Sequence, residues 1–208
     1  MASRQSRALV RQVEQLRRQF LPRRFDPLGL YRNSIKVQLL ARAFLVFSHA
    51  EIESFLEDWA KRIARSAEEQ WQKKTNVTLP LASLLYCSDQ RWDEQKLLAS
   101  PASNGSSTQL SSDLVRVFHE YYQSVKDNHG IKERNVLNLF APLGVLHADF
   151  GLTLLPNLDS LGVDRGLHAH QSAVAAITVI DPEIIYKRVL AIVGELVVLD
   201  GKLKSYLQ

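Results

Sequence analysis

Apolar residues recur every three to four positions along most of the chain, and wherever that rhythm holds it predicts a helix. The longest run lies between Ser34 and Trp71, where Ile35, Leu39, Leu40, Ala43, Phe44, Phe47, Ala50, Phe55, Leu56, Trp59 and Ile63 follow without an intervening Pro or Gly. This stretch is expected to be the longest helix and the backbone of a bundle. Ahead of it, Leu9, Val10, Val13, Leu16 and Phe20 mark an amphipathic helix over residues 3–20, with Arg and Gln filling the opposite face. It ends before Pro22, and Asp26-Pro-Leu-Gly29 makes a turn.

Past residue 73 the rhythm weakens. Thr78 to Leu85 reads as a short helix begun near Pro80, Trp92 as a lid over one end of the bundle, and Cys87 as a small buried hydrophobe. Residues 101–112, rich in Ser, Asn and Gly, read as a flexible loop by composition. Ser111-Ser-Asp113 then caps a helix to about Asp127 whose apolar side is Leu114, Val117, Phe118, Tyr121, Tyr122 and Val125, with His119 off that stripe. Gly130 is placed for a C-terminal cap, and a helix over 132–140 follows. Leu146 to Leu155 is ambiguous. His147 and Asp149 there suit local backbone hydrogen bonding. Pro156 can open a further helix, residues 172–180 are small and apolar enough for tight packing, and Asp181-Pro-Glu183 starts a core helix reaching about Asp200.

Composition narrows the class. A chain of 208 residues, 46% hydrophobic and 23% charged, is expected to form one domain over 1–208 with a substantial core. The net charge of +4 permits RNA binding without demanding it. Cys87 is the only cysteine, so no intrachain disulfide forms. No apolar run is long enough to span a bilayer, and Met-Ala-Ser-Arg-Gln-Ser-Arg lacks the apolar core of a signal peptide. These features lead us to expect a cytoplasmic protein without membrane contact. Arg17, Arg18, Arg23 and Arg24 cluster at the end of the first helix; the cluster could serve as a phosphate-contacting patch, and we read it instead as a solvated helix end.

Candidate chemistry concentrates in Gly162-Val-Asp-Arg-Gly-Leu-His-Ala-His170. Arg165 and His170 form an Arg-x4-His arrangement, with Asp164 beside the arginine and His168 between the two. Arginine offers a permanent planar fork to phosphate oxygens, and histidine titrates near neutrality. Metal-free cleavage of an RNA phosphodiester requires this pairing: one group takes the 2′-hydroxyl proton, and fixed positive charge meets the developing phosphorane. The glycines at 162 and 166 permit close approach of another backbone or a phosphate. Arg42, His49 and Glu53 fall within about 40° of one stripe of the long helix, and the first two make an Arg-x6-His arrangement that rivals the C-terminal one. Their structural reading is an ion pair or clamp, with Glu53 or Glu51 orienting partners across the bundle. There is no glycine-rich phosphate loop, Gly-x-Ser-x-Gly, His-Glu-x-x-His or EF-hand loop. His168 and His170 point about 200° apart on a helix, a poor chelating geometry, so no metal and no cofactor are expected.

Three blocks resemble the HEPN superfamily, and within it the RiboL-PSP-type domains: residues 42–58 (RAFLVFSHAEIESFLED), 129–144 (HGIKERNVLNLFAPLG) and 158–172 (LDSLGVDRGLHAHQS). The resemblance implies an all-α, HEPN-type helical bundle, here with an extra N-terminal helix, and a homodimer in which two Arg-x4-6-His motifs face one cleft. It implies a metal-independent endoribonuclease leaving 2′,3′-cyclic phosphate and 5′-hydroxyl ends. By that resemblance Arg165 and His170 carry over as the motif pair. Beside them we expect Asp164 or His168 to orient the pair, and Arg165, Arg42 and His49 to contact substrate. Gly166 stands where the family commonly has Asn or another polar residue. Expected partners are RNA, a second copy, and an antitoxin or other regulatory protein in a toxin–antitoxin or phage-defence setting. Two other readings stay open: an inert helical module binding RNA or a partner protein, and a regulatory scaffold with no RNA role.

Overall fold

Ser34 opens the central helix, its hydroxyl accepting the Val37 amide at 3.3 Å, and the helix then runs unbroken from Ile35 to Lys74. We call it α2. The computed structural model describes residues 3–26, 28–29, 31, 34–88, 106–170 and 179–207, with 106–111 and 168–170 as backbone only. Within these residues the other α-helices are α1 (Arg4–Phe20), α3 (Leu79–Cys87), α4 (Ser106–Lys126), α5 (Glu133–Phe140), α6 (Leu154–His170) and α7 (Pro182–Leu203), and no strand is present. At 40 residues α2 is roughly 60 Å long, and it packs against each of the other six. Phe44, Leu45, Ile52, Leu56, Trp59 and Ile63 form its fully buried stripe, continuous with one core that takes residues from every helix described. The expected all-α bundle is therefore present.

Buried polar groups set how the outer helices sit on α2. Ser3 caps α1 by accepting the Ser6 amide, and both its own amide and its hydroxyl donate to Asp200 of α7, which has no solvent exposure. Asp200 also pairs with Lys204 at 3.3 Å. At the other end of α7, the Gln38 amide nitrogen donates to the Ile180 carbonyl at 2.9 Å while its oxygen accepts the Ile180 amide at 2.8 Å. One side chain thus supplies both bonds that a paired strand would. Asp181 accepts the Glu183 and Ile184 amides and starts α7 ahead of Pro182, as its sequence predicts.

Several boundaries differ from expectation. The backbone of 106–112 belongs to α4, so that part of the expected 101–112 loop is helical. Composition misled there, because Ser, Thr and Gln are compatible with a helix that the apolar residues from Leu114 onward stabilise. Helix α6 starts two residues before Pro156, which sits in a first turn where its missing N–H costs no bond. The ambiguous 146–155 stretch is a 3-10 turn at His147–Phe150, with Asp149 accepting the Leu146 amide at 2.8 Å, followed by Gly151 at φ 75°. Cys87 is exposed rather than buried, because it ends α3 on the solvent side. Trp92 and residues 172–178 lie outside the described residues, as do 101–105 of the expected loop. No helix among the described residues is long and apolar enough to cross a membrane.

Candidate active site

Arg165 is exposed on α6. What holds α6 in place begins with Gly162: a Cβ there would stand 3.0 Å from Lys132 Cγ and 3.6 Å from the Lys132 backbone nitrogen. The glycine lets α6 lie directly on the start of α5, fulfilling the expected close approach of another backbone. Gly166 has no such duty, since a Cβ there would meet nothing within 4 Å.

Across the bundle from Arg165 stands His49 on α2, only 3% exposed. Its Nδ1 lies 3.7 Å from Glu53 Oε2, one turn further along the helix. This is a contact of charge with ring rather than a close hydrogen bond. The other Glu53 oxygen accepts the backbone N–H of Gly130, in the loop between α4 and α5. That loop is fixed in turn by amides: Asn128 Nδ2 donates to the Gly130 carbonyl at 3.3 Å, and Asn135 Nδ2 to Asn128 Oδ1 at 3.3 Å and the His129 carbonyl at 3.2 Å. Glu53 therefore ties α2 to the loop on which α5 and α6 are built. Glu51 instead lines a cleft against α1 with Arg4 and Asp58.

Electrostatics join the two motifs that sequence reading set against each other. The His49 pKa falls from 6.5 to about 4, first because burial strips solvent from the charged ring and then because the Arg165 guanidinium repels it. The ring is consequently neutral at pH 7. Arg165 of one motif and His49 of the other thus share one electrostatic neighbourhood.

The remaining candidates separate. Asp164, adjacent to Arg165 in sequence, turns to α7 and pairs with Arg188 Nη1, while Arg188 Nη2 donates to Ser160 Oγ at 2.7 Å. Arg165 makes no ion pair among the described residues. Arg42 is half-buried on α2, two turns before His49. The α6 backbone continues through His168 and His170, whose side chains lie outside the described residues. His147 pairs with Glu133 at 3.2 Å near the surface.

Sequence reasoning missed two partners. Arg188 carries no local signal, because its pairing with Asp164 spans two helices. Gly130, expected to cap α4, stands four residues past its last residue Lys126 and donates its amide to Glu53 instead, a bond that depends on the packing of α4 against α2.

A sequence model of the RiboL-PSP-HEPN family matches residues 16–204. No curated protein and no solved structure matches the chain.

Proposed function

Because the chain belongs to the RiboL-PSP-type HEPN family, a membership that suggests an RNA-related or nuclease role, we propose that it is a metal-independent endoribonuclease. Arg165 binds the scissile phosphate. His170 acts in moving the proton: the RNA 2′-oxygen attacks phosphorus and gives up its hydrogen, the bond to the 5′-oxygen breaks, and the leaving oxygen takes a proton. The products are a 2′,3′-cyclic phosphate and a 5′-hydroxyl. His168 orients the pair, and a second copy across a two-fold axis supplies the second titrating group. An antitoxin or other regulatory protein, in a toxin–antitoxin or phage-defence setting, would restrain such an activity.

The observation that supports this best is the unneutralised Arg165. Of the two carboxylates considered beside it, Asp164 is engaged by Arg188 and Glu53 by the Gly130 amide and the His49 ring. A guanidinium left without a carboxylate at the surface is available to phosphate oxygens, where charge-assisted bonds are strongest. In this reading His49 and Glu53 position the site from behind, since a ring 3% exposed does not face a polymer. Arg42 remains a candidate substrate contact.

One observation favours the alternative of an inert RNA- or protein-binding module: Asp164, expected to orient the pair, is committed to the structural contact with Arg188. A single experiment separates the two. Purified protein is incubated with labelled single-stranded RNA and tRNA in excess EDTA, alongside His170→Ala and Arg165→Ala. Cleavage that persists in EDTA, disappears in both variants and leaves cyclic phosphate supports the ribonuclease. A folded, dimeric protein that cleaves nothing would return the function to the binding module.

A further inference from the structure

The charge of this protein is segregated. Residues 4–24 hold seven arginines, no lysine and a single acid, Glu14. That is a net charge of +6 in a chain whose total is +4, so the remainder carries −2. The modest overall excess conceals a strongly basic element on a slightly acidic body.

The structure aligns much of this charge. Arg4, Arg7, Arg11 and Arg18 are all exposed on α1, and at 100° per residue they fall within about 60° of one another along some 21 Å of helix. Leu9 and Val13 bury the opposite face against α2. The turn that follows adds exposed Arg23 and Arg24. It is held by Arg17, whose guanidinium lies 5.2 Å from the Phe25 ring and 5.6 Å from the Tyr186 ring and donates to the Arg23 carbonyl at 3.1 Å. Glu14 is occupied at both oxygens, by Arg18 at 3.3 Å and by the Tyr186 hydroxyl at 3.0 Å. Arg4, by contrast, stands over a cleft shared with Glu51 and Asp58. The exposed ridge is therefore Arg7, Arg11, Arg18, Arg23 and Arg24, of which Arg18 is paired with Glu14. Arg7 and Arg11 precede the stretch matched by the family, so membership does not account for those two.

We infer that this ridge binds the sugar–phosphate backbone of single-stranded RNA and holds substrate on the protein without reading its sequence. This rests on the ribonuclease reading above and adds to it a second contact surface. Arginine's planar fork grips phosphate oxygens in pairs. No aromatic side chain is interleaved along the ridge for base stacking, so contact is with backbone rather than bases. Rigidity comes from the buried Ser3–Asp200 anchor at one end and the Arg17 sandwich at the other.

The test uses the full chain and a fluorescent 2′-O-methyl oligoribonucleotide of about 20 nucleotides, long enough to track a groove and lacking the attacking hydroxyl. Binding is measured against salt for the native protein, for Arg7→Gln/Arg11→Gln/Arg18→Gln, and for Lys73→Gln/Lys74→Gln/Lys126→Gln, which removes the same charge elsewhere. Circular dichroism checks that helicity is retained. The α1 variant should weaken binding by about ten-fold or more at low salt and flatten the slope of log affinity against log salt by roughly 2, near 0.7 per lost contact. The control should change little. Equal weakening in both variants, no weakening in either, or no binding by the native protein would overturn the proposal. So would displacement by poly-L-glutamate at matched charge, which would make the ridge a face for acidic protein. If the α1 variant alone loses binding while native protein fails to cut unmodified RNA, the ridge stands and the ribonuclease reading falls. Cutting with binding unchanged in the α1 variant gives the reverse.

Discussion

His49 should make the protein progressively less stable in mild acid. Its ring titrates at 6.5 in an unfolded chain and at about 4 in the fold. Above pH 6.5 it is neutral in both states and contributes no pH dependence. Between 6.5 and about 4 the unfolded chain binds a proton that the folded one does not, so stability falls as pH falls, by at most about 1.4 kcal/mol per pH unit from this group. The whole gap corresponds to roughly 3 kcal/mol, reached near pH 4. The groups facing the ring are the Glu53 carboxylate from its own helix and the Arg165 guanidinium from α6, and burial outweighs the latter. Two measurements follow. Imidazole NMR of native protein should place the His49 midpoint near 4, and Arg165→Gln should raise it while leaving it below 6.5. Urea unfolding should show the native protein losing roughly 3 kcal/mol more than His49→Gln between pH 7 and about 4. A native midpoint at 6 or above would refute the burial argument. A midpoint unmoved by Arg165→Gln would refute the convergence of the two motifs.

Three further outcomes test the framework around the site. Asp200→Ala should cost about 3 kcal/mol and lower Tm by roughly 6–12 °C, because it strips the Ser3 amide, the Ser3 hydroxyl and Lys204 of their partner. Burial alone would raise the Asp200 pKa, but the Ser3 bonds and Lys204 prevail and lower it. The contribution is therefore complete above the unfolded value near 3.9 and lost as pH drops through the folded one, which acid titration of native against Asp200→Asn will show. Gln38→Leu should cost about 2–4 kcal/mol and speed hydrogen exchange at Ile180, whose buried amide and carbonyl lose their partner. Unchanged exchange would mean that the segment before α7 is held by other contacts. Gly144→Ala should destabilise by about 2 kcal/mol or more, since φ is 78° and the new Cβ would stand 2.5 Å from Ser83 Oγ. Adding Ser83→Ala should recover part of that loss and not all of it, because the backbone strain remains.

The bundle was legible because its signals are local. A 40-residue helix with no Pro or Gly and a dense apolar stripe leaves little choice, and hydroxyl or carboxylate caps at Ser34, Thr78 and Asp181 mark helix starts in the sequence itself. What was lost is what depends on two helices at once. Asp164 and Arg165 are neighbours in sequence, yet at 100° per residue they face different elements, one toward Arg188 and the other toward the side of His49. His49 and Arg165 are 116 positions apart in sequence and come within electrostatic reach of each other only through packing. Cys87 was misread for a related reason: an average preference for burial says nothing about a residue at the solvent end of a nine-residue helix. The basic ridge was half seen, because the clustered pairs at 17–18 and 23–24 catch the eye while the exposed series at 4, 7, 11 and 18 appears only once the helix is turned.

The convergence of the two motifs changes what each variant reports. Glu53 divides its oxygens between the ring of His49 and the amide of Gly130, so the imidazole behind Arg165 and the loop carrying α5 respond to one carboxylate. Gly162 seats α6 on the first residues of that same segment. The presentation of Arg165 is therefore a property of the core: a side chain exposed at the surface stands on a helix whose height is set by a glycine contact and whose footing is set by a buried clamp. Sites built on packed elements hold their geometry better than sites on loops. A loss of function in Glu53→Ala would then register displacement of Arg165, and the His49 resonance would move with it. Loss in Arg165→Gln would instead register the missing charge, with the Gly130 amide still protected from exchange. Measured side by side, these two readouts separate a group that positions the site from the group that the site presents.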